Sequence, residues 1–319
     1  PTANAGAEEA TICENQTLQL SGTATEYDHL LWEADPDGTF DYDNSLTPVY
    51  TPGPNAISAG AATLTFTAFA KSPCLVSGDA RTDEILVTIQ LLPVVDAGLT
   101  NGSVCEGDDY PLSGATAINA STYLWDDGAG SGLFDNATLL NPIYSPSLAD
   151  AGTTVTLCVT ASPISPCAVS DTDCLDLWIQ ELPDVDAGSA SLICATGYTI
   201  LDASAENVSS ILWTSTDGTF DNPTIINPKF TPKPDLFIDP ITGLGTAILH
   251  LTGYAVDPPC SGFVTDDVTF TVQPLPIAEA GLPVVTGCET GYTFVPGPYP
   301  GVSVKYNSNM EWTSNGTGT

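Results

Sequence analysis

The side chains of this chain with chemical potential are thiols and carboxylates. Its nine cysteines could hold a metal, close disulfides or act as nucleophiles. Zinc sites draw on closely spaced Cys and His, yet no Cys-x-x-Cys occurs, and His29 and His250 stand far along the chain from any Cys. Cysteines that recur without metal spacing point to disulfides in an oxidising compartment. Carboxylates crowd at Asp35, Asp37, Asp41 and Asp43, then thin to Asp126, Asp127 and Asp135, and to Asp217 and Asp221. Such oxygens could attract calcium, but the fixed offsets and closing Glu of an EF-hand loop are missing. Turns built by Asp and Asn side chains are the preferred reading, with calcium as the alternative and no other cofactor expected. Paired carboxylates such as Asp126 and Asp127 could serve glycoside hydrolysis. Nothing sets them apart from solvated loop residues, no nucleophile motif accompanies them, and no enzyme is expected.

These residues sit in a phrase that recurs. Leu31-Trp32 leads to Asp37-Gly-Thr-Phe40 and Pro48-Val-Tyr-Thr-Pro52. Leu124-Trp125 leads to Asp127-Gly128, Phe134 and Pro142-Ile-Tyr-Ser-Pro146, and Leu212-Trp213 to Asp217-Gly-Thr-Phe220 and Pro228-Lys-Phe-Thr-Pro232. Trp312 opens the phrase a fourth time; the Trp positions lie 93, 88 and 99 residues apart. That period is too long for a solenoid and suits a string of small domains. The expected domains are residues 1–92, 93–182 and 183–275, with a partial fourth repeat at 276–319, so a longer polypeptide is expected.

Each repeat opens on Ala-Gly after a polar residue (Asn4, Asp96, Asp186, Glu279), and a Cys follows (Cys13, Cys105, Cys194, Cys288). Alternating runs such as Thr63–Phe69, Val155–Val159 and Ala247–Leu251 read as strands, and 26 prolines exclude long helices. About seven short strands per repeat predict an all-β chain of tandem immunoglobulin-like sandwiches. Trp32, Trp125, Trp213 and Trp312, with Phe40, Phe134 and Phe220, are the expected core. Trp178 takes an outward position held by Thr88 and Thr271 in the other repeats. Linkers as short as Gln90-Leu-Leu-Pro93 are too stiff for free tethers and predict an extended rod.

Thirty-nine acidic against five basic residues leave a formal charge of −34. Nucleic acid and anionic membrane surfaces require a cationic patch that this composition lacks, and no apolar run reaches a membrane span. Repulsion between repeats favours an extended array.

The ordered set Asp-Ala-Gly…Cys, Trp…Asp-Gly…Phe, Pro-x-Tyr/Phe-x-Pro and a closing Thr-Val-Thr-type strand resembles PKD-like repeats. It is most similar to those of giant Bacteroidetes cell-surface adhesins of the SprB gliding type. The likeness spans the whole chain, but the Trp-Asp-Phe-Gly-Asp-Gly signature is not kept: Trp125-Asp-Asp-Gly128 comes nearest, while Trp32-Glu and Trp213-Thr depart. The resemblance implies secretion across an outer membrane and a structural stalk at the cell surface, in adhesion or gliding, which presents a distal tip to a surface or glycan ligand. Neighbouring repeats are its immediate partners. The alternative is a carbohydrate-binding accessory module of a secreted hydrolase.

Strand alignment places Cys158 opposite Thr67 and Thr252 of the other repeats, and Cys174 opposite Glu84 and Asp267. Both then face outward on one hairpin, placed for a cross-strand bridge. For the other cysteines two patterns stand open. Pairing within repeats gives Cys13–Cys74, Cys105–Cys167 and Cys194–Cys260. In a sandwich, however, the first turn and the last hairpin loop lie at opposite ends, about 17–20 Å apart, too far for a disulfide. Pairing between repeats gives Cys13–Cys167 and Cys105–Cys260.

Overall fold

The computed structural model describes residues 1–71, 80–279, 303–305, 309, 311 and 313. Strand dominates; the helical pieces among these residues are Pro54–Ala59 and a 3-10 turn at Leu148–Asp150. The chain forms two compact units, residues 1–180 and 181–319.

The first unit holds two sandwiches with separate cores. In the first, Tyr27–Asp35, Ala61–Ala70 and Arg81–Gln90 run antiparallel, and Glu9–Cys13 joins the far edge parallel to Arg81–Gln90. A smaller sheet of Leu18–Gln19, Val49–Pro52 and Gly38–Phe40 lies across the core. Alternation decides the faces: Leu64, Phe66 and Ala68 are buried against Ile85, Val87 and Ile89, while the intervening Thr65, Thr67, Leu86 and Thr88 lie on the other face. The second sandwich repeats this order, with Ala120–Asp126, Thr154–Pro163, Asp171–Gln180 and the parallel edge Asn101–Cys105. Its smaller sheet is Tyr110–Pro111, Ile143–Ser145 and Leu133–Phe134.

The second unit contains a third sandwich, built from Val208–Thr214, Gly245–Ala255, Phe263–Gln273 and the parallel edge Leu192–Cys194. Its smaller sheet is Tyr198–Thr199, Lys229–Pro232 and Gly218–Phe220. The same unit carries a pairing of Ile277–Glu279 with Ser303–Lys305. The chain is thus all-β, and its sandwiches are of immunoglobulin type.

Each Trp-bearing strand enters through a one-residue bulge. The residue just before it, Glu26, Asn119 or Asn207, has φ near +55°. A bulge bends the strand and increases its twist, which turns the following Trp inward. Trp32, Trp125 and Trp213 are each at most 2% exposed. Phe40, Phe134 and Phe220 pack beside them, with ring centroids 6.2, 6.2 and 5.7 Å away. Trp312 lies outside the described residues.

Candidate functional site

The carboxylates that invited calcium or hydrolysis are engaged by the backbone. Asp41 Oδ1 accepts from the N–H of Tyr42 and of Val49, eight residues on. Asp135 does the same for Asn136 and Ile143, and Asp221 for Asn222 and Lys229, at 2.7–2.8 Å. In each case the aspartate's own N–H returns to the carbonyl eight residues on. The clamp closes the loop between the Phe strand and the Pro-x-aromatic-x-Pro strand, satisfying two donors that would otherwise face only water. Asp37 caps the short helix, accepting from Asn55 and Ala56. Asp126 accepts from Gly128, and Asp127 takes the Tyr144 hydroxyl at 3.1 Å. Burial, and then that contact with Asp127, push the Tyr144 hydroxyl well above the ordinary phenol range. A shallow cavity of about 190 Å³ beside Asp127 and Asp150 is lined by Thr154, Val155 and Thr156. Among the described residues no group of three or more His, Cys, Asp and Glu is gathered to hold a metal ion.

The glycine of the Trp…Gly…Phe phrase has a steric reason. A Cβ on Gly38 would stand 2.3 Å from the Tyr50 ring, and one on Gly218 2.5 Å from the Phe230 ring. In the second sandwich that role falls to Gly132, 2.4 Å from the Tyr144 hydroxyl, and not to Gly128 of the Asp-Gly pair singled out in the sequence. Gly132 follows Trp125 by seven residues, against six from Trp32 to Gly38 and five from Trp213 to Gly218, and in all three the Phe comes two residues later.

A second carboxylate clamp was not visible as a motif. Asp83, Asp173 and Asp266 accept from Ala5, Ala97 and Ala187, the alanines of the opening Ala-Gly, at 2.7–2.8 Å. The signal that could have exposed it is an acidic residue recurring 76–79 positions after each opening.

The structure links Cys158 to Cys174, directly opposed on adjacent antiparallel strands with Cα atoms 4.1 Å apart. The register corrects the sequence alignment. Cys158 corresponds to Thr65 and His250, which oppose Glu84 and Asp267, and not to Thr67 and Thr252. A shift of two residues keeps the same face, so the outward orientation is unaffected. One cross-strand position therefore carries a Thr–Glu pair, a disulfide and a His–Asp pair in the three sandwiches. His250 Nδ1 lies 2.5 Å from Asp267 Oδ1.

A second disulfide, Cys13–Cys167, joins the two sandwiches of the first unit across 154 residues. The Cys167 loop, turned by an N–H···O bond from Cys167 to Ile164, reaches over the joint and sets Cys167 Sγ 3.2 Å from Gln90 O. Asn119 Nδ2 donates to Leu92 O in the same joint. Cys13 is fully buried there. This bond rules out Cys13–Cys74 and Cys105–Cys167, because both sulfurs they would share are taken. Cys194 is an exposed thiol, so Cys194–Cys260 is also discarded. In the second unit Cys260 is buried, with Sγ 3.8 Å from Glu181 O. Cys74 and Cys288 lie outside the described residues. Trp178 stands on the outer face of its sheet, 43% exposed, opposite Thr154.

No protein-family profile and no curated protein sequence matches the chain. Solved structures similar to it include mouse cadherin-23 EC22-24, at 13% identity and TM-score 0.46, covering 84% of this chain and 96% of that one. Protocadherin gamma B2 cadherin domains 3-6 align at 14% identity and TM-score 0.43, over 96% and 84% of the two chains. The N-terminal eight Ig domains of Down syndrome cell adhesion molecule (DSCAM) align at 12% and 0.46, over 85% and 36%. Likenesses at this level say nothing about what the chain does.

Proposed function

We propose that the chain is a non-enzymatic spacer: a run of sandwich repeats in a large secreted cell-surface adhesin or filament. It would hold a distal binding tip away from the cell and pass tension along its length. The repeats would be 1–92, 93–182 and 183–275, with a further one begun at 276–319. The resemblance to PKD-like repeats of gliding adhesins supports placement at the outer surface of a bacterial cell.

The observation that carries this reading is the Cys13–Cys167 bond. It ties two sandwiches with separate cores across a linker of Leu91, Leu92 and Pro93. A covalent tie at a joint keeps neighbours from separating under load. On the same pattern, Cys105–Cys260 is proposed as the next tie. The recurring carboxylates support the reading too, since each closes a loop of its own sandwich.

Small-angle scattering on the oxidised protein tests it. An elongated particle with a cross-section of one sandwich is expected; a compact globule would end the reading. Pulling on single molecules should show sandwiches that stay joined until a reductant is added. Exposed Trp178 favours a second reading, a glycan-binding module, because an exposed indole can stack on a sugar ring. Glycan affinity lost in Trp178→Ala would favour that alternative.

A further inference from the structure

Each sandwich carries the same small seat at the end of its parallel edge strand. Cys13 pairs with Gln90, and Cys194 with Gln273. The residue after each cysteine donates its N–H to that glutamine's carbonyl, Glu14 to Gln90 and Ala195 to Gln273. In the first sandwich the seat is filled: the Cys167 loop of the following sandwich covers it, Cys13 is fully buried, and Gln90, Leu91 and Leu92 are half-buried. In the third sandwich the equivalent surface is open. Cys194 and Gln273 are exposed, and Leu275 is 50% exposed.

Beside the open seat runs an apolar groove of about 560 Å³, reaching from Ala195 past Pro232, Pro234 and Leu236 to Val272 and Leu275. Filled and open seats share backbone geometry and differ in cover. What the filled one holds is a proline-preceded cysteine at the tip of a neighbouring sandwich's last hairpin, Ser165-Pro166-Cys167.

We propose that Cys194 and the groove beside it form the docking seat for the cysteine-tipped last hairpin of the sandwich that follows in the same polypeptide, which locks there through a disulfide to Cys194. This rests on the spacer reading and extends its latching to the repeat that opens with Ile277-Ala-Glu-Ala-Gly281 and carries Cys288. A hairpin of the next sandwich is the occupant because the filled seat takes one in this way, along one chain. The bond would form by exchange. The incoming cysteine, held as a mixed disulfide with a disulfide-donating oxidant, is attacked at sulfur by the Cys194 thiolate; the Cys194–hairpin bond forms as the donor's sulfur leaves as thiolate. The Cys194 thiol suits that attack, because the hydroxyl and N–H of Thr196 stabilise its thiolate and hold it below the ordinary cysteine range.

The test compares two proteins, each quenched with iodoacetamide without reductant and then peptide-mapped. One is the 319-residue chain, the other the natural polypeptide running through the following sandwich. In the first, Cys194 should take the label fully. In the second, labelling should fall at least tenfold, and a non-reduced peptide should join Cys194 to a Pro-Cys hairpin of the next sandwich. Full labelling of Cys194 in the longer protein overturns the proposal, as does a bond from Cys194 to Cys74 of a second copy. Because scattering on the 319-residue chain reports shape irrespective of Cys194, an elongated 319-residue chain together with a free Cys194 in the longer protein would refute the seat alone. A compact particle would refute the spacer reading.

Discussion

Removing the Cys158–Cys174 bond isolates what a cross-strand tie does inside one sandwich. The perturbation is Cys158→Ser with Cys174→Ser, which leaves no odd thiol. The bond closes a loop of 16 residues, and the loop-entropy relation gives about 3 kcal/mol for that length. The hairpin itself should survive. On either side of the bond the same face carries Thr156 Oγ1 bonded to Asp176 at 2.8 Å and the Thr160 and Thr172 hydroxyls at 2.9 Å, and inside lie Leu157, Val159, Leu175 and Leu177. Register is therefore kept without the sulfurs, and the loss should appear as stability and not as misfolding. For a sandwich of roughly 90 residues it corresponds to a fall in Tm on the order of 10 °C or more. Differential scanning calorimetry of the oxidised protein should show one transition moving down while the others stay in place. The pair Cys13→Ser with Cys167→Ser is the control. A shift below about 1 kcal/mol, or one shared by every transition, would refute the reasoning.

Asp221→Ala strips the acceptor from two backbone donors, Asn222 and Lys229. It should cost the third sandwich about 2 kcal/mol in urea unfolding, allowing for the exposure of the loop, with Asp221→Asn recovering part of the loss. Gly218→Ala drives a methyl into the Phe230 ring and the Thr231 carbonyl, so its transition should lose about 1–3 kcal/mol, whereas Gly107→Ala meets no neighbouring atom and is limited to its backbone conformation. The Trp32 and Trp125 indoles donate to the Ser45 and Leu140 carbonyls, while Trp213 Nε1 meets no acceptor among the described residues. Trp→Phe should therefore cost about 1 kcal/mol less at position 213 than at 32 or 125, read from chemical denaturation of each transition. Iodoacetamide labelling of Cys194 in the 319-residue chain should reach half its maximal rate at a pH below that of a free cysteine, since Thr196 stabilises the thiolate; Thr196→Val should raise that midpoint.

How far the sequence reaches depends on whether a feature is local. Strand alternation, the aromatic phrase and the absence of long helices follow from residue types a few positions apart, because side-chain direction in a strand has period two. That is why Trp32, Trp125 and Trp213 could be placed in the core from the chain alone. The Asp41, Asp135 and Asp221 clamps were half legible: the carboxylates stood out as turn residues, but not the donor eight positions on, which only the folded loop supplies. Asp83, Asp173 and Asp266 were invisible as partners of the opening alanines, since 76 or more residues separate donor from acceptor. The two-residue misalignment of Cys158 arose because repeats of unequal loop length cannot be phased without the ladder. What the sequence alone determined is an acidic, cysteine-bearing, all-β chain of recurring sandwiches. The Cys158–Cys174 bridge was legible from strand alternation on one hairpin, but which pattern Cys13 and Cys167 follow, and that Cys194 stands exposed, was decided by tertiary structure, because a disulfide depends on Cα atoms brought within a few ångströms and nothing local in the chain encodes that distance across 154 residues.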